Sequence, residues 1–163
     1  MIKLSDEVYD FFKDQTFVIV TTLDPDGSPH DSCKDIVRIS RGGRIYLLDL
    51  YLKSTFNNLK NNSRMCIAQV DEESFTGYCL KGTGKSVKIN KLTPRIMSAW
   101  QRKITARITN RIISNLKKEK GQGSHPESLL PRPEYLIVMD VKEIIDLTPP
   151  HIKQKKIGGA YGK

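Results

Sequence analysis

The chain has few cysteines and no long apolar run, and both shortages limit the classes of protein to which it can belong. Its 163 residues include three cysteines, Cys33, Cys66 and Cys79, and no two of them form a CxxC pair. An odd number without such spacing argues against a disulfide framework or a zinc ribbon. No stretch of about eighteen apolar residues occurs, and the first residues lack the apolar run of a signal peptide. We therefore expect a soluble, reduced, cytoplasmic protein without a membrane span.

Recognised catalytic motifs are also missing. The sequence has no HExxH, GxSxG, P-loop or GxGxxG pattern and no metal-ligand spacing. His30, His125 and His151 are far apart, and we interpret each as a solvated loop residue. The cysteines fall in predicted strands and are interpreted as buried structural thiols, of which Cys33, beside the cation Lys34, is the one to test. The catalytic residues stay unknown, and no metal site is assigned.

Positive charge is abundant but confined to two segments. The net charge is +9, yet residues 91 to 120 carry nine Lys or Arg and one acid, and residues 153 to 163 carry four Lys and no acid. The rest of the chain therefore has a net charge of −3. A slightly acidic domain with one basic insert and a basic tail is a different object from a uniformly basic nucleic-acid binder.

The length and the apolar patterning predict one domain that is mainly β. We expect a single domain over residues 1–152, interrupted by a helical insert at about 92–120 and followed by a flexible basic tail, 153–163. Six antiparallel strands with few helices favour a small barrel. The predicted strands are Thr16–Leu23, Cys33–Ile39, Arg44–Leu50, Arg64–Val70, Tyr78–Ile89 and Tyr135–Val141. A short helix at Ser5–Lys13, a connecting helix at Lys53–Asn62 and a long basic helix from Arg95 complete the prediction.

The long helix carries an apolar stripe that one flat surface cannot bury. Its apolar residues recur every four positions, and each step drifts about 40° around a helix of 3.6 residues per turn. The stripe consists of Ile96, Trp100, Ile104, Ile108 and Ile112. Either the helix bends near Thr105 to Thr109, or it contacts two surfaces, such as its own barrel and a dimer partner.

One segment between a strand and a helix suits a phosphate group. Lys53, Ser54 and Thr55 offer one positive charge, two hydroxyl donors and the free N–H groups of a helix start. The competing interpretation is an ordinary helix cap, Ser54 or Thr55, beside a surface lysine. The local pattern leaves both interpretations open.

The order of the motifs resembles the pyridoxamine 5′-phosphate oxidase-like, FMN-binding split barrels. A D-x-D-G-x-P turn at Asp24 to Pro29 comes first, then Lys-Ser-Thr with Asn-Leu-Lys-Asn-Asn up to Asn62. Arg-Met-Cys-Ile-Ala follows at residues 64–68, and Leu-Lys-Gly-Thr-Gly at residues 80–84. The resemblance covers about residues 12 to 90 and 135 to 149. Each motif is weak alone, whereas their order is moderately specific. The Trp and Arg positions that mark the vitamin B6 oxidase itself have no counterpart here.

The resemblance implies a six-stranded antiparallel split barrel, a homodimer, and FMN held in a cleft at the dimer interface. Carried over by position, three sets of residues would bind the cofactor. The first would bind the phosphate, the second would lie on a strand beside the isoalloxazine ring, and the third would line the ribityl and ring side. These are, in the same order, Lys53, Ser54 and Thr55; Cys33, Lys34, Asp35 and Ile36; and Asp49 and Leu50. Gly77 and Tyr78 fall where the family often brings a further flavin contact.

Two departures from the family pattern concern the site. The family's Lys-Thr pair falls on Ser54-Thr55, so that Lys53 lies one position early. Lys34 and Asp35 place charges on a strand that is usually more apolar, and they could tune the flavin or mark an altered pocket.

Two classes of function remain open from the sequence. The first is an FMN-dependent oxidoreductase acting with a small-molecule or nicotinamide redox partner, or a split barrel that holds another cofactor such as deazaflavin or haem. The second is a binding protein whose basic helix and tail contact nucleic acid or an anionic surface. Nucleic acid is the less favoured partner, because the basic residues of the helix are interleaved with an apolar stripe. The basic segment could also steer an anionic ligand toward the cleft.

Overall fold

A computed structural model describes residues 1–15, 17–89, 94–117, 129–131 and 133–153 of the chain. These residues include three helices of eight residues or more and seven strands. The helices are α1 (Asp6–Lys13), α2 (Ser54–Asn61) and α3 (Pro94–Lys117). The strands are β1 (Val18–Leu23), β2 (Pro29–Lys34), β3 (Ile36–Ile39), β4 (Arg44–Asp49), β5 (Arg64–Val70), β6 (Gly77–Lys88) and β7 (Tyr135–Asp146). The last residues of the predicted helical insert, 118–120, residues 121–128 and all but the first residue of the predicted tail, 154–163, lie outside the described residues.

The seven strands form one antiparallel sheet in the order β2-β1-β5-β6-β7-β4-β3. The two edge strands, β2 and β3, are consecutive in the chain and are joined by the single residue Asp35. The sheet must therefore curl until its edges come within one residue of each other. The prediction of a mainly β, antiparallel split barrel is confirmed, with seven strands in place of six.

The extra strand arises where one strand was predicted over Cys33–Ile39. The return strand begins earlier, because the tight turn after β1 brings Leu23 directly opposite Pro29. It ends at Lys34, and the chain then pairs with β4 instead of β1. At the break, the carbonyl of Asp35 accepts a hydrogen bond from the Leu48 N–H. A continuous apolar pattern does not reveal a strand that changes partners at one residue.

The inner face of the sheet makes the main apolar core. Alternate residues of β1 point inward, and Val18 and Val20 are fully buried. α1 closes one end of the barrel with Val8 and Phe12, and Ser5 caps this helix, since its Oγ accepts a hydrogen bond from the Val8 N–H. This packed core is a rigid support for the helices and loops that surround the barrel.

α3 packs on the outside of the barrel and forms a second, smaller apolar cluster. Ile96 and Trp100 contact buried residues of β3, β4 and β7. The helix is continuous from Pro94 to Lys117. The later stripe residues, Ile104, Ile108 and Ile112, are half-buried, and Ile113 beside the stripe is exposed. No helix within the described residues is long and apolar enough to cross a membrane.

Candidate functional site

Two adjoining cavities lie where β2, β4 and the start of α2 meet. The larger has a volume of about 480 Å³ and the smaller about 330 Å³. They share three lining residues, Cys33, Lys34 and Tyr51. The larger cavity is lined in addition by Phe17, Asp35, Leu48, Leu50, Arg107, Asn110, Arg111 and Leu130. The smaller is lined in addition by His30, Ser32, Asp49, Lys53, Ser54 and Thr55. Together they form a two-part cleft. Its polar end is the smaller cavity, lined mainly by polar residues, and the larger cavity mixes apolar with charged side chains.

The structure brings eight of the nine predicted site residues to this cleft. Cys33, Lys34, Asp35 and Leu50 lie along the larger cavity, and the remaining four line the smaller one. Ile36 differs, because it is buried in the barrel core and lines neither cavity. Only its backbone carbonyl is engaged near the site, where it accepts a hydrogen bond from Lys103. Whether these residues bind a cofactor stays a prediction.

The start of α2 carries no side-chain cap. The residue before the helix is Lys53, and no side chain accepts a hydrogen bond from the N–H groups of the first turn. The cap interpretation of Ser54 and Thr55 does not hold, because both lie within the first turn of the helix itself. Uncapped N–H groups with a lysine beside them provide the donors and the positive potential that an anion needs. The polar end of the cleft is therefore suited to a phosphate group.

A residue with a strained backbone sets the direction of the chain at the start of α2. Leu52 has a φ of 48°, which is the left-handed region that a bulky residue seldom adopts. Left-handed backbone at such a residue costs of the order of 1–3 kcal/mol and persists only where the surroundings hold it. The unusual turn redirects the chain from β4 into α2. It is a local signal that sequence patterning does not show.

Side-chain hydrogen bonds fix α2 against the barrel. The buried Asn58 amide donates to the Thr22 hydroxyl at 3.1 Å and to the Asp24 carboxylate at 2.7 Å. The hydroxyls of Thr55 and Ser32 are 3.0 Å apart. These contacts join the helix to β1, to β2 and to the turn between them. The polar end of the cleft is thereby preorganised.

A buried ion pair lies where the two cavities adjoin. The Lys34 Nζ lies 3.1 Å from the Asp49 Oδ1, and the two side chains are 9% and 2% exposed. The second oxygen of Asp49 is buried and has no hydrogen-bond partner among the described residues. A carboxylate oxygen in that position costs free energy unless a donor reaches it. Since Asp49 lines the smaller cavity, a ligand with hydroxyl or N–H donors would satisfy it.

α3 supplies a wall of the larger cavity, which the site prediction missed. The Arg107 guanidinium lies 2.6 Å from the Asp35 carboxylate and 4.2 Å from the centre of the Phe17 ring. Lys103 donates to the carbonyls of Gln15 and Ile36 at 3.2 and 2.7 Å, and burial is the main cause that lowers the pKa of its ammonium group. The spacing of Lys103 and Arg107, four residues apart on one helix face, was the available signal.

The three cysteines are free thiols and are not buried structural residues, so that prediction is wrong. Cys33 is exposed, and Cys66 and Cys79 are half-buried. They point outward because they occupy the strand positions that alternate with the core residues. Burial is the main cause that raises the pKa of the Cys79 thiol to about 11, and the neighbouring Cys66 contributes in the same direction.

His30 is also placed differently from its prediction as a solvated loop residue. It lies in β2, lines the smaller cavity, and its Nδ1 is 3.9 Å from the Asp24 carboxylate. In the part of the chain that the structure describes, no group of three or more His, Cys, Asp or Glu is arranged to hold a metal ion. Gly77 and Tyr78 line neither cavity; Tyr78 packs against Phe11 in the core, and burial raises its pKa to about 12.

A family model matches most of the chain. Residues 4–144 match the model described as pyridoxamine 5′-phosphate oxidase. No curated protein sequence matches the chain. The family match spans the residues that line both cavities and all of the sheet except the last two residues of β7.

Solved structures with the same fold include proteins described by different ligands. A pyridoxamine 5′-phosphate oxidase homologue from Lactobacillus delbrueckii has 15% identity and a TM-score of 0.59, covering 88% of this chain and 93% of its own. An F420 reductase has 13% identity and a TM-score of 0.52, with coverages of 86% and 98%. HutZ, the haem storage protein of Vibrio cholerae, has 16% identity and a TM-score of 0.51, with coverages of 88% and 94%. At these identities the likeness shows the fold alone.

Proposed function

This chain belongs to the pyridoxamine 5′-phosphate oxidase family without being the vitamin B6 oxidase itself, and from that premise we propose that it is an FMN-binding oxidoreductase that works as a homodimer. The observation that carries the proposal is the two-part cleft, whose polar end lies at the uncapped start of α2. FMN carries the redox chemistry, and the protein supplies binding, orientation and electrostatics. The three cysteines are free thiols, which accords with a reducing, cytoplasmic location.

The polar end of the cleft would hold the FMN phosphate. Lys53 and Ser54 are exposed at its rim, and Thr55 lies beneath them with its hydroxyl 3.0 Å from that of Ser32. The helix N–H groups and the Lys53 ammonium would together neutralise the phosphate. The one-residue displacement of Lys53 from the family pattern leaves it lining the smaller cavity. The residues present therefore fit a phosphate.

The rest of the cleft would hold the ribityl chain and the ring. Ribityl hydroxyls are donors of the kind that the second oxygen of Asp49 lacks. The larger cavity offers the side chains of Leu48, Leu50 and Phe17 to a flat ring system. Lys34 lies between the two parts with its charge balanced by Asp49. No side chain of the described cleft is assigned as an acid or base; the redox partner would be a small molecule or a nicotinamide.

A homodimer would cover an apolar row on the outer face of the sheet. Five outward residues stand at one register position across five neighbouring strands: Cys33, Ile19, Ala68, Cys79 and Ile145. Ile19 is 42% exposed. A row of exposed or half-buried apolar residues across a sheet is typical of a surface that a protein partner covers.

The nucleic-acid hypothesis loses support from the placement of α3. Lys103 and Arg107 point into the barrel edge and are engaged with carbonyl oxygens and with Asp35. Basic side chains that make these contacts within the protein do not reach a polyanion. The exposed Arg95 and Arg102 remain available to one.

A haem-binding split barrel is the second candidate, and His30 is the observation that favours it. An imidazole lines the smaller cavity and could ligate a haem iron. Adding haemin to the purified protein would then give a Soret band that disappears in His30→Ala and persists in His151→Ala, the matched control with an exposed histidine. A Soret band that both variants retain would exclude His30 as the ligand.

Titration with FMN tests the leading proposal. Absorbance and fluorescence of the purified dimer with added FMN, after the unbound fraction is removed, should show one flavin per chain. The double variant Lys53→Ala/Ser54→Ala should bind FMN at least tenfold more weakly, because a charge-assisted contact is worth about 1.5–3 kcal/mol. Lys60→Ala is the matched control, since it removes one lysine at the other end of the same helix.

Two outcomes would contradict the FMN assignment. A protein that stays colourless and retains no added FMN excludes FMN as its cofactor. Equal loss of FMN in the control and in the double variant excludes the start of α2 as the phosphate site. Binding of a deazaflavin in place of FMN would keep the same cleft and correct the cofactor.

A further inference from the structure

Two cysteines are neighbours on the outer face of the sheet. Cys66 in β5 is directly opposite Lys81, and Cys79 in β6 is directly opposite Ala68, so the two cysteines are diagonal neighbours on one face of a strand pair. Their thiols interact, since Cys66 acts on Cys79 both electrostatically and through a side-chain hydrogen bond. Both cysteines are free thiols, and neither lines the two cavities of the cleft. The proposed flavin chemistry therefore leaves this pair without a role.

The spacing of the pair suits a bridging ion better than a disulfide. Diagonal neighbours in an antiparallel strand pair are about 7–8 Å apart. A disulfide usually requires Cα atoms about 4.4–6.8 Å apart. A metal ion between two sulfurs, with bonds close to the zinc–thiolate length of about 2.3 Å, holds the sulfurs up to about 4.6 Å apart. Cys66 and Cys79 are therefore placed for two bonds to one ion rather than for one bond to each other.

The number of available ligands restricts the metal. Within the described residues, no group of three or more His, Cys, Asp or Glu side chains is arranged to hold a metal ion. Structural Zn²⁺ takes four ligands, and Mg²⁺ and Ca²⁺ take six or more, mainly oxygen. Two thiols are too few for any of these ions. Thiolates select soft ions such as Cu(I), and Cu(I) is stable with only two thiolates in a linear arrangement.

A third cavity reaches one member of the pair. It has a volume of about 280 Å³, and its lining includes Cys66, Arg64 and Lys81. Two thiolates and one Cu(I) carry a single negative charge, which these basic side chains favour. Glu143 lies 3.7 Å from Lys81, but both side chains are about half exposed, so water screens that ion pair. The cavity therefore provides an entry path and a favourable charge for the metal.

We infer that Cys66 and Cys79 form a two-coordinate Cu(I) site on the outer face of the sheet. Binding replaces two S–H bonds by two Cu–S bonds and releases two protons to the solvent, and the copper stays in the Cu(I) state throughout. Ala68 and Ile145, which lie on either side of Cys79, would shield the ion from water. The inference goes beyond the proposed function, because the pair lies outside the cleft and needs no flavin.

Anaerobic titration of the full-length protein with Cu(I), in competition with the chelator bicinchoninate, tests this inference. The protein should bind one Cu(I) per chain, and X-ray absorption of the loaded protein should show two sulfur ligands and no third. Cys66→Ser and Cys79→Ser should each weaken Cu(I) binding by more than about a hundredfold, since a lost ligand costs more than a lost outer-shell partner. Cys33→Ser is the matched control and should keep full binding, because this exposed thiol lies on β2, two strands away from Cys66.

The same experiments show which results would overturn the inference. A parent protein that does not compete for Cu(I) would overturn it, as would loss of binding in Cys33→Ser. So would binding retained by a Cys66→Ser or Cys79→Ser protein whose circular dichroism matches the parent. X-ray absorption of the parent protein needs no variant, and three sulfur ligands, or one copper for two chains, would require thiols beyond the pair. Lys53→Ala/Ser54→Ala should weaken FMN binding and leave Cu(I) binding unchanged, so the two proposals fail separately.

Discussion

The guanidinium of Arg107 lies 2.6 Å from the carboxylate of Asp35, the residue at which the chain passes from one edge strand to the other. The contact therefore joins the inserted helix to the point where the sheet would otherwise open. Both side chains are buried, so the pair is shielded from water and strongly dependent on its own geometry. It also forms part of the cavity wall, and thereby couples the docking of α3 to the shape of the site.

Removing one member of this pair should destabilise the protein more than removing both charges. Arg107→Gln leaves Asp35 buried without its ionic partner and should lower the free energy of unfolding by about 3 kcal/mol. The double variant Arg107→Gln/Asp35→Asn should recover most of that loss, because no uncompensated charge remains. Urea unfolding followed by circular dichroism measures both.

The exposed Arg102 provides the control for this pair. Arg102→Gln makes the same chemical change on the same helix and should stay within about 0.5 kcal/mol of the parent protein. A cost below about 1 kcal/mol for Arg107→Gln would show that the pair does not hold α3 in place.

Two glycines with the same backbone conformation should respond differently to alanine. Gly27 and Gly43 have φ values of 85° and 83°. Around Gly27 a new Cβ would meet nothing, whereas at Gly43 it would collide with the backbone carbonyl of Ile2. Gly27→Ala should therefore cost about 1–2 kcal/mol from the left-handed backbone alone. Gly43→Ala should cost at least twice as much, measured by thermal unfolding, and equal losses would show that the N-terminal segment moves aside freely.

Local patterning was enough to predict most of the barrel. The strands β1, β4 and β5 were found because β-branched and apolar residues occur in short runs that end at turns. The helix α2 was found because a polar segment with Phe56 and Leu59 three residues apart follows a strand. Such signals lie within a few residues of one another, and a single sequence contains them in full.

The missed features all depend on contacts between distant parts of the chain. The break at Asp35 is compensated by Arg107, which lies 72 positions later. The outward direction of Cys66 and Cys79 depends on which face of the sheet packs against the core. Periodicity alone does not identify that face when both faces of a strand carry apolar residues. The wall formed by α3 follows from docking, which the drifting apolar stripe did not specify. The burial of a side chain and its contact partners are properties of the folded structure, whereas secondary-structure propensity is a property of the local sequence.

A charge placed in the outward apolar row should prevent dimer formation. Ile19 lies within the row, between Cys33 and Ala68 on the neighbouring strands. Ile19→Asp would bury a carboxylate in the proposed interface and should shift the protein to the monomer in sedimentation velocity experiments. Leu129→Asp, at a residue that is 82% exposed, should leave the association unchanged. A parent protein that is monomeric at all concentrations would refute the dimer.

Stability should fall at alkaline pH because of the Cys79 thiol. Burial, as the main cause, raises its pKa to about 11, whereas the unfolded chain releases that proton near the ordinary thiol pKa of 9.0. Between about pH 9 and pH 11 the native state therefore holds a proton that the unfolded state has lost, so the free energy of unfolding decreases as pH rises.

Replacing the thiol should flatten that decrease. Cys79→Ala should remove on the order of 1–2 kcal/mol of the loss across this interval, as measured by urea unfolding at a series of pH values. A residual slope should persist at the upper end, because burial raises the pKa of Tyr78 to about 12 and acts in the same direction. Cys33→Ala is the control, since that thiol is exposed on the edge strand and its loss should leave the profile unchanged. If Cys79→Ala keeps the full alkaline slope, then the proton in question is held elsewhere, and the outer face around Cys66 and Cys79 is wetter than its burial in the protomer indicates.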